Sequence, residues 1–163
     1  MTLPPLGMTA LHQAALWYEL YNLEVRHWHD VNHNRGETAH ELYTDDGLFS
    51  VGETRHEGRT AIQQFYAWRR TRGARLARHL VSNLNFTLDA SGKTAWVTGV
   101  ITLYAADGEP ILESKSPTMI ADLMNECHLG DDLQWRFKRH VLVPLFRGEG
   151  QLNSAANRHQ SPT

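Results

Sequence analysis

The residues that could do chemistry in this chain fall in one short run, Arg78-His79-Leu80-Val81-Ser82-Asn83-Leu84-Asn85-Phe86. Leu80, Leu84 and Phe86 alternate with His79, Val81, Asn83 and Asn85, a period of two that predicts a strand with the two sets on opposite faces. A neutral imidazole accepts a proton near pH 7. Carboxamides beside it would donate hydrogen bonds to a developing oxyanion. That face is short, polar and uncharged, which suits the wall of an enclosed pocket. On spacing alone, a solvent-facing strand with an idle histidine is the simpler reading.

The elements that must position this strand are helical first and extended afterwards. Thr9 is an N-cap candidate. Leu11, Ala15, Tyr18, Tyr21, Val25, Trp28 and Asn32 recur at three- and four-residue steps, predicting a helix of roughly seven turns that stops at Asn34-Arg35-Gly36. Its last inward positions, Trp28 and Asn32, would reach a pocket mouth. A short helix is expected over Glu37 to Tyr43, a short strand over Leu48 to Val51, a polar loop over Glu53 to Gly58 and a third helix from Arg59. Four long segments follow, His79 to Leu88, Thr94 to Tyr104, Ser116 to Cys127 and Leu133 to Phe146, with turn signals between them at Asp89-Ala90-Ser91-Gly92, Asp107-Gly108 and Gly130-Asp131-Asp132. Helices followed by a meander of strands predict an α+β domain, with the helices on one face of a strongly curved antiparallel sheet that encloses a cone-shaped pocket. Residues 1–148 form one expected domain and 149–163 an expected flexible C-terminal tail.

With 163 residues, 41% apolar and 21% charged, the composition is that of a globular protein, and the formal charge of −2 gives no reason to expect nucleic acid or a membrane surface as a partner. A single cysteine, Cys127, excludes an internal disulfide. Together with the lack of a basic n-region or a long apolar run, it points to a cytoplasmic protein. The ten histidines are scattered. His29 and His33 stand at i, i+4, a metal-binding spacing, but no third ligand accompanies them, so no metal is expected.

The segments ELYTDDGLFSVG, EGRTAIQQFYAWRR, ARHLVSNLNF and LQWRFKRHVLVPLFRG, in this order behind a long first helix, resemble the SnoaL-like branch of the nuclear-transport-factor-2-like superfamily. Scytalone-dehydratase-like enzymes and the β subunits of ring-hydroxylating dioxygenases belong to the same group. The resemblance spans Leu11 to Gly148. In catalytic members, a histidine at the start of this strand is the general base and an aspartate near the end of the first helix orients it. By motif position His79 is that histidine, and the aspartate position falls on Asn32. An amide can fix an imidazole tautomer but cannot neutralise an imidazolium. Asp30 lies about 200° round the helix from Asn32 and should point away.

The resemblance implies a cofactor-independent lyase or isomerase acting on a small apolar, aromatic substrate. His79 and Asn32 are its candidate catalytic pair, and Asn83, Asn85, Tyr18, Tyr21, Trp28 and His140 its candidate binding residues. His140 could face the pocket or away from it, because parity against His79 is open. The run Arg69, Arg70, Arg72, Arg75 and Arg78 reads as a solvated face, or as a lure for a carboxylate or phenolate. Two rivals remain, a non-catalytic dioxygenase-type β subunit and a hydrophobic-metabolite binder. A homo-oligomer, dimer or trimer, is expected under each.

Overall fold

A computed structural model describes residues 9–148; the expected tail and the first residues lie outside this range. The chain runs α1 (Ala10–His33), a single 3-10 turn (Ala39–Leu42), β1 (Tyr43–Val51), β2 (Thr54–Glu57), α2 (Arg59–Arg70), β3 (Arg75–Leu88), β4 (Thr94–Asp107), β5 (Met119–Leu129) and β6 (Trp135–Arg147). The six strands form one curved sheet in the order β2-β1-β6-β5-β4-β3.

The sheet is mixed rather than antiparallel throughout, because β1 runs parallel to β6. A parallel pair needs a long connection between its strands, and here α2 and four further strands, β2 to β5, supply it. The expected polar loop over Glu53 to Gly58 is in fact mostly β2, which pairs antiparallel with β1 through Phe49 opposite His56. Its alternation was too short to register as a strand.

Thr9 caps α1 by accepting the His12 amide at 3.2 Å. The helix buries Leu20, Leu23, Glu24, His27, Trp28, Asp30 and Val31. The inward stripe is therefore not the expected Leu11–Tyr18–Tyr21 line, and Leu11, Tyr18 and Tyr21 are exposed. Polar Glu24 and His27 occupy core positions, so hydrophobicity alone chose the wrong face. Asp30 points away from Asn32, as expected. Its carboxylate accepts Asn34 Nδ2, the Thr38 amide and the Thr38 hydroxyl, each at 3.0 Å, and ties the helix end to the 3-10 turn. The chain leaves α1 through Gly36, whose φ is +76° and where any Cβ would lie 2.3 Å from the Tyr66 ring. Tyr66 and Ile62 are the buried face of α2. The core lies between these helices and the inner row Ile101, Leu103, Ala121, Leu123, Phe137 and Leu142.

β3 carries a bulge between Ser82 and Asn85, where two residues stand opposite Gly99 alone. Asn83 takes a left-handed φ of +54° there. On Gly99 a Cβ would sit 2.5 Å from Leu84 Cδ2 and 3.0 Å from the Ser82 carbonyl, so the bulge requires glycine at this position.

Candidate active site

A cavity of about 760 Å³ opens between α1, α2 and the concave face of the sheet. Trp28, Val31 and Asn32 enter it from α1, Phe65, Trp68 and Arg69 from α2, and His79 from β3. This volume suits a drug-sized or bicyclic molecule.

His79 is held by Asn32. The Asn32 Oδ1 accepts the His79 backbone N–H at 3.0 Å, and Asn32 Nδ2 donates to the His79 carbonyl at 3.3 Å. These two bonds orient the amide. The same Oδ1 lies 2.8 Å from His79 Nδ1. An oxygen so placed can only accept, so Nδ1 carries the ring proton and Nε2 keeps its lone pair. Among the described residues, Nε2 has no hydrogen-bond partner, and it is not one of the fully buried orphan atoms, so it faces the cavity. Trp28 stacks on the imidazole, with centroids 4.3 Å apart and planes 21° apart. Burial, then the charges of Arg69 and Arg75, then His140, push the His79 pKa down to about 3. The ring is therefore neutral at physiological pH. It is a weak base whose conjugate acid gives its proton up readily.

Behind Trp28 lies a second polar layer. Trp28 Nε1 donates to Glu24 Oε1 at 2.7 Å, and Asn125 Nδ2 donates to Glu24 Oε2 at 2.9 Å. His140 Nε2 lies 3.1 Å from Glu24 Oε1, and its Nδ1 lies 2.7 Å from the Tyr43 hydroxyl. A carboxylate facing Nε2 makes that nitrogen the donor and leaves Nδ1 to accept from Tyr43. Glu24, His140 and Tyr43 are fully buried, and burial raises the Tyr43 pKa well above its ordinary value. This layer fixes the tilt of the indole, and through it the stacked face of His79.

Of the expected site residues, the structure brings together His79, Asn32 and Trp28. It places the others elsewhere. His140 does face inward, but it is sealed behind Trp28 and does not line the cavity. Asn83 and Asn85 are exposed on β3, because the bulge reverses the side-chain alternation and turns Leu84 and Phe86 inward instead. Tyr18 and Tyr21 lie on the outward side of α1, where Tyr21 stacks on Trp17 at 4.8 Å.

One pocket histidine escaped the sequence reading. His56, on β2, stacks on Phe65 at 4.1 Å, and partial burial lowers its pKa. Arg69 belongs to a run read as a solvated face or as a lure for a carboxylate or phenolate, and it lines the cavity at the last turn of α2. The spacing from Tyr66, three residues before it, was the available signal. His29 and His33 stack on each other at 4.5 Å on the exposed side of α1, and among the described residues no group of three or more potential metal ligands converges.

Residues 16–141 match the profile of the SnoaL-like domain. The chain belongs to this family. No curated protein matches the sequence. Similar solved structures include a candidate scytalone dehydratase from Novosphingobium aromaticivorans, with a TM-score of 0.72 at 16% identity, covering 92% of this chain and 97% of that one. The β subunit of a candidate aromatic-ring-hydroxylating dioxygenase from the same organism has a TM-score of 0.71 at 12% identity, covering 86% and 95%. ActVI-ORFA from Streptomyces coelicolor has a TM-score of 0.69 at 10% identity, covering 80% and 97%. At these identities the likeness shows the fold, a curved sheet of the nuclear-transport-factor-2 type, and this fold hosts many activities.

Proposed function

We propose that this SnoaL-like protein is a cofactor-independent lyase or isomerase acting on a small apolar, aromatic substrate. One observation carries the reading: a neutral imidazole, locked as the Nδ1–H tautomer by Asn32, aims an unpartnered Nε2 into a closed-sided aromatic cavity. The similarity to a candidate scytalone dehydratase supports the same reading.

In a dehydration, Nε2 takes a proton from carbon, and the freed electron pair forms the new double bond as the C–O bond breaks. The departing hydroxide takes the proton from Nε2 and leaves as water, which restores the neutral ring. In a loss of formaldehyde Nε2 takes the hydroxyl proton of a hydroxymethyl group, the C–C bond breaks as the C=O bond forms, and the carbanion left on the ring takes that proton back; in an isomerisation Nε2 returns the proton to another carbon. A base this weak requires an activated C–H bond, next to a carbonyl or an electron-poor ring. It suits the return step, because so acidic an imidazolium reprotonates a leaving group readily. One positioned base contributes roughly 10²–10⁴-fold.

The test is a turnover screen without added cofactor, on aromatic diols, hydroxylated bicyclic ketones and cyclic enones, following ultraviolet absorbance. Turnover by the wild type that is lost in a folded His79→Ala variant is the expected result. Ligand binding without turnover in either protein would refute the catalytic reading.

A second reading, a dioxygenase-type β subunit, is favoured by the outer face of the sheet. Leu80, Trp96, Met124 and Phe146 are all exposed there. We place self-association, as a dimer or trimer, on this same face, with light scattering of the purified protein as its check. A stable homo-oligomer whose cavity stays open and dry counts against the subunit reading. A reducing compartment such as the cytoplasm suits the single buried thiol of Cys127.

A further inference from the structure

We propose that the cavity holds an anion subsite at Arg69, and that the substrate is therefore an aromatic acid: a planar ring lying by Trp28 and His79, with a carboxylate paired to the Arg69 guanidinium. This rests on reading the cavity as the substrate site.

Five arginines line the cavity, Arg35, Arg69, Arg72, Arg75 and Arg147, against two carboxylates, Glu53 and Asp107. The charges are not equally available. Arg75 is paired to Asp107 at 2.8 Å. Arg35 donates to the carbonyls of Arg70 at 3.1 Å and Gly73 at 2.7 Å, and closes the loop after α2. Arg72 is exposed and lies over the Trp68 ring at 5.3 Å. Arg69 differs from these. Among the described residues its side chain makes no ion pair and no hydrogen bond, and its guanidinium lies over the face of Phe65 at 5.7 Å. Burial lowers its pKa, with the charges of Arg75 and Arg35 acting in the same direction.

A cation partly withdrawn from water with no anion beside it is a costly arrangement. Electrons of an aromatic face offset part of that cost. A carboxylate would offset far more, since a guanidinium presents a planar fork that binds it bidentately. Position agrees with this use. Arg69 and His79 line the same cavity, and after burial itself the Arg69 charge is the largest influence lowering the His79 pKa. A carboxylate seated on Arg69 would place the carbon framework of the same molecule beside Nε2. The neighbouring arginines give the mouth a positive field that draws such a ligand in.

The test is calorimetric binding of a matched pair of probes, 2-naphthoate and 2-naphthamide, to the full-length protein. They differ in charge and little in shape. The expected result is a preference for naphthoate of about tenfold or more, typical of one charge-assisted contact. Arg69→Met keeps the length of the stem and should erase this preference while naphthamide still binds. Arg72→Gln, at the exposed mouth, should leave most of it. Should Arg69→Met fail to fold, Arg69→Lys keeps the charge without the fork and should weaken naphthoate at least about threefold with naphthamide unchanged. Equal binding of the two probes, no binding of either, or a preference that survives removal of the guanidinium would overturn the proposal. Binding is read without turnover, so the subsite stands or falls separately from the catalytic role of His79.

Discussion

Replacing Asn32 with aspartate tests the geometry of the site at its centre. The substitution keeps an oxygen where Asn32 Oδ1 now accepts both the His79 amide and Nδ1–H, at 3.0 Å and 2.8 Å. It replaces the Nδ2 donor with a second oxygen facing the His79 carbonyl, now 3.3 Å away. The bond lost is long and neutral, worth about 0.5–1.5 kcal/mol. The charge gained is larger in effect. A carboxylate within hydrogen-bond reach of an imidazole raises its pKa by roughly 1–3 units, or about 1.4–4 kcal/mol between the two protonation states. Starting from about 3, the His79 midpoint should rise to roughly 4–6. The assay is an NMR titration of ¹⁵N-labelled histidine. In the wild type the His79 ring should show no titration down to about pH 4.5, and its ¹⁵N shifts should report the Nδ1–H tautomer. In Asn32→Asp the midpoint should enter the measurable range. An unmoved or lowered midpoint, or an Nε2–H tautomer in the wild type, would refute the assignment of Asn32 as the partner of Nδ1 and of Nε2 as the base.

Three further outcomes follow from the same structure. Glu24→Leu leaves the donors of Trp28, Asn125 and His140 unpaired in the core and should cost about 3 kcal/mol or more by chemical denaturation; a cost under about 1 kcal/mol would contradict the buried network. Gly99→Ala meets the fixed Ser82 carbonyl at 3.0 Å as well as the movable tip of Leu84 and should cost about 1–3 kcal/mol, whereas an unchanged melting temperature would mean that the bulge relaxes. Acid should destabilise the fold. His79 and His27 are held neutral below their ordinary pKa, mainly by burial, while the unfolded chain takes up protons near pH 6.5. The unfolded state then binds more protons, so this stability is complete above about pH 6.5 and is lost as the pH falls toward the folded values, at up to roughly 1.4 kcal/mol per unit for each ring. Stability curves of the wild type and His79→Gln should converge with falling pH across that window, and parallel curves would contradict the burial of a neutral ring.

Much of the fold was legible because it rests on local pattern. The long helix ends at His33, just before the expected stop at Asn34-Arg35-Gly36, and the four long strands fell close to their expected spans. The pairing of Asn32 with His79 was reachable through motif position, although the two are 47 residues apart. What stayed hidden depended on the partner surface. Alternation along β3 predicted Asn83 and Asn85 beside His79, and the bulge reversed it. Gly99, on the facing strand, was the one local clue, since an interior strand glycine often marks a bulge. The inward stripe of α1 was misread because Glu24 and His27 are polar. Their burial depends on Asn125, His140 and Tyr66, residues from 39 to 116 positions away. Arg69 was one of five cations in a run read either as a solvated face or as a lure for an anion, and what singles it out is its place in the cavity lined by α2, β1 and β3.

The most direct test of the central claim is proton exchange at carbon, which needs no completed elimination. Aromatic ketones and aromatic acids with one activated C–H bond would be incubated with the protein in D₂O and followed by mass spectrometry. The account requires deuterium to enter at that carbon with the wild type, and roughly 10²-fold or more slowly with folded His79→Ala. Equal exchange with both proteins, or none above the uncatalysed rate with either, would contradict a cavity built around His79 as its base.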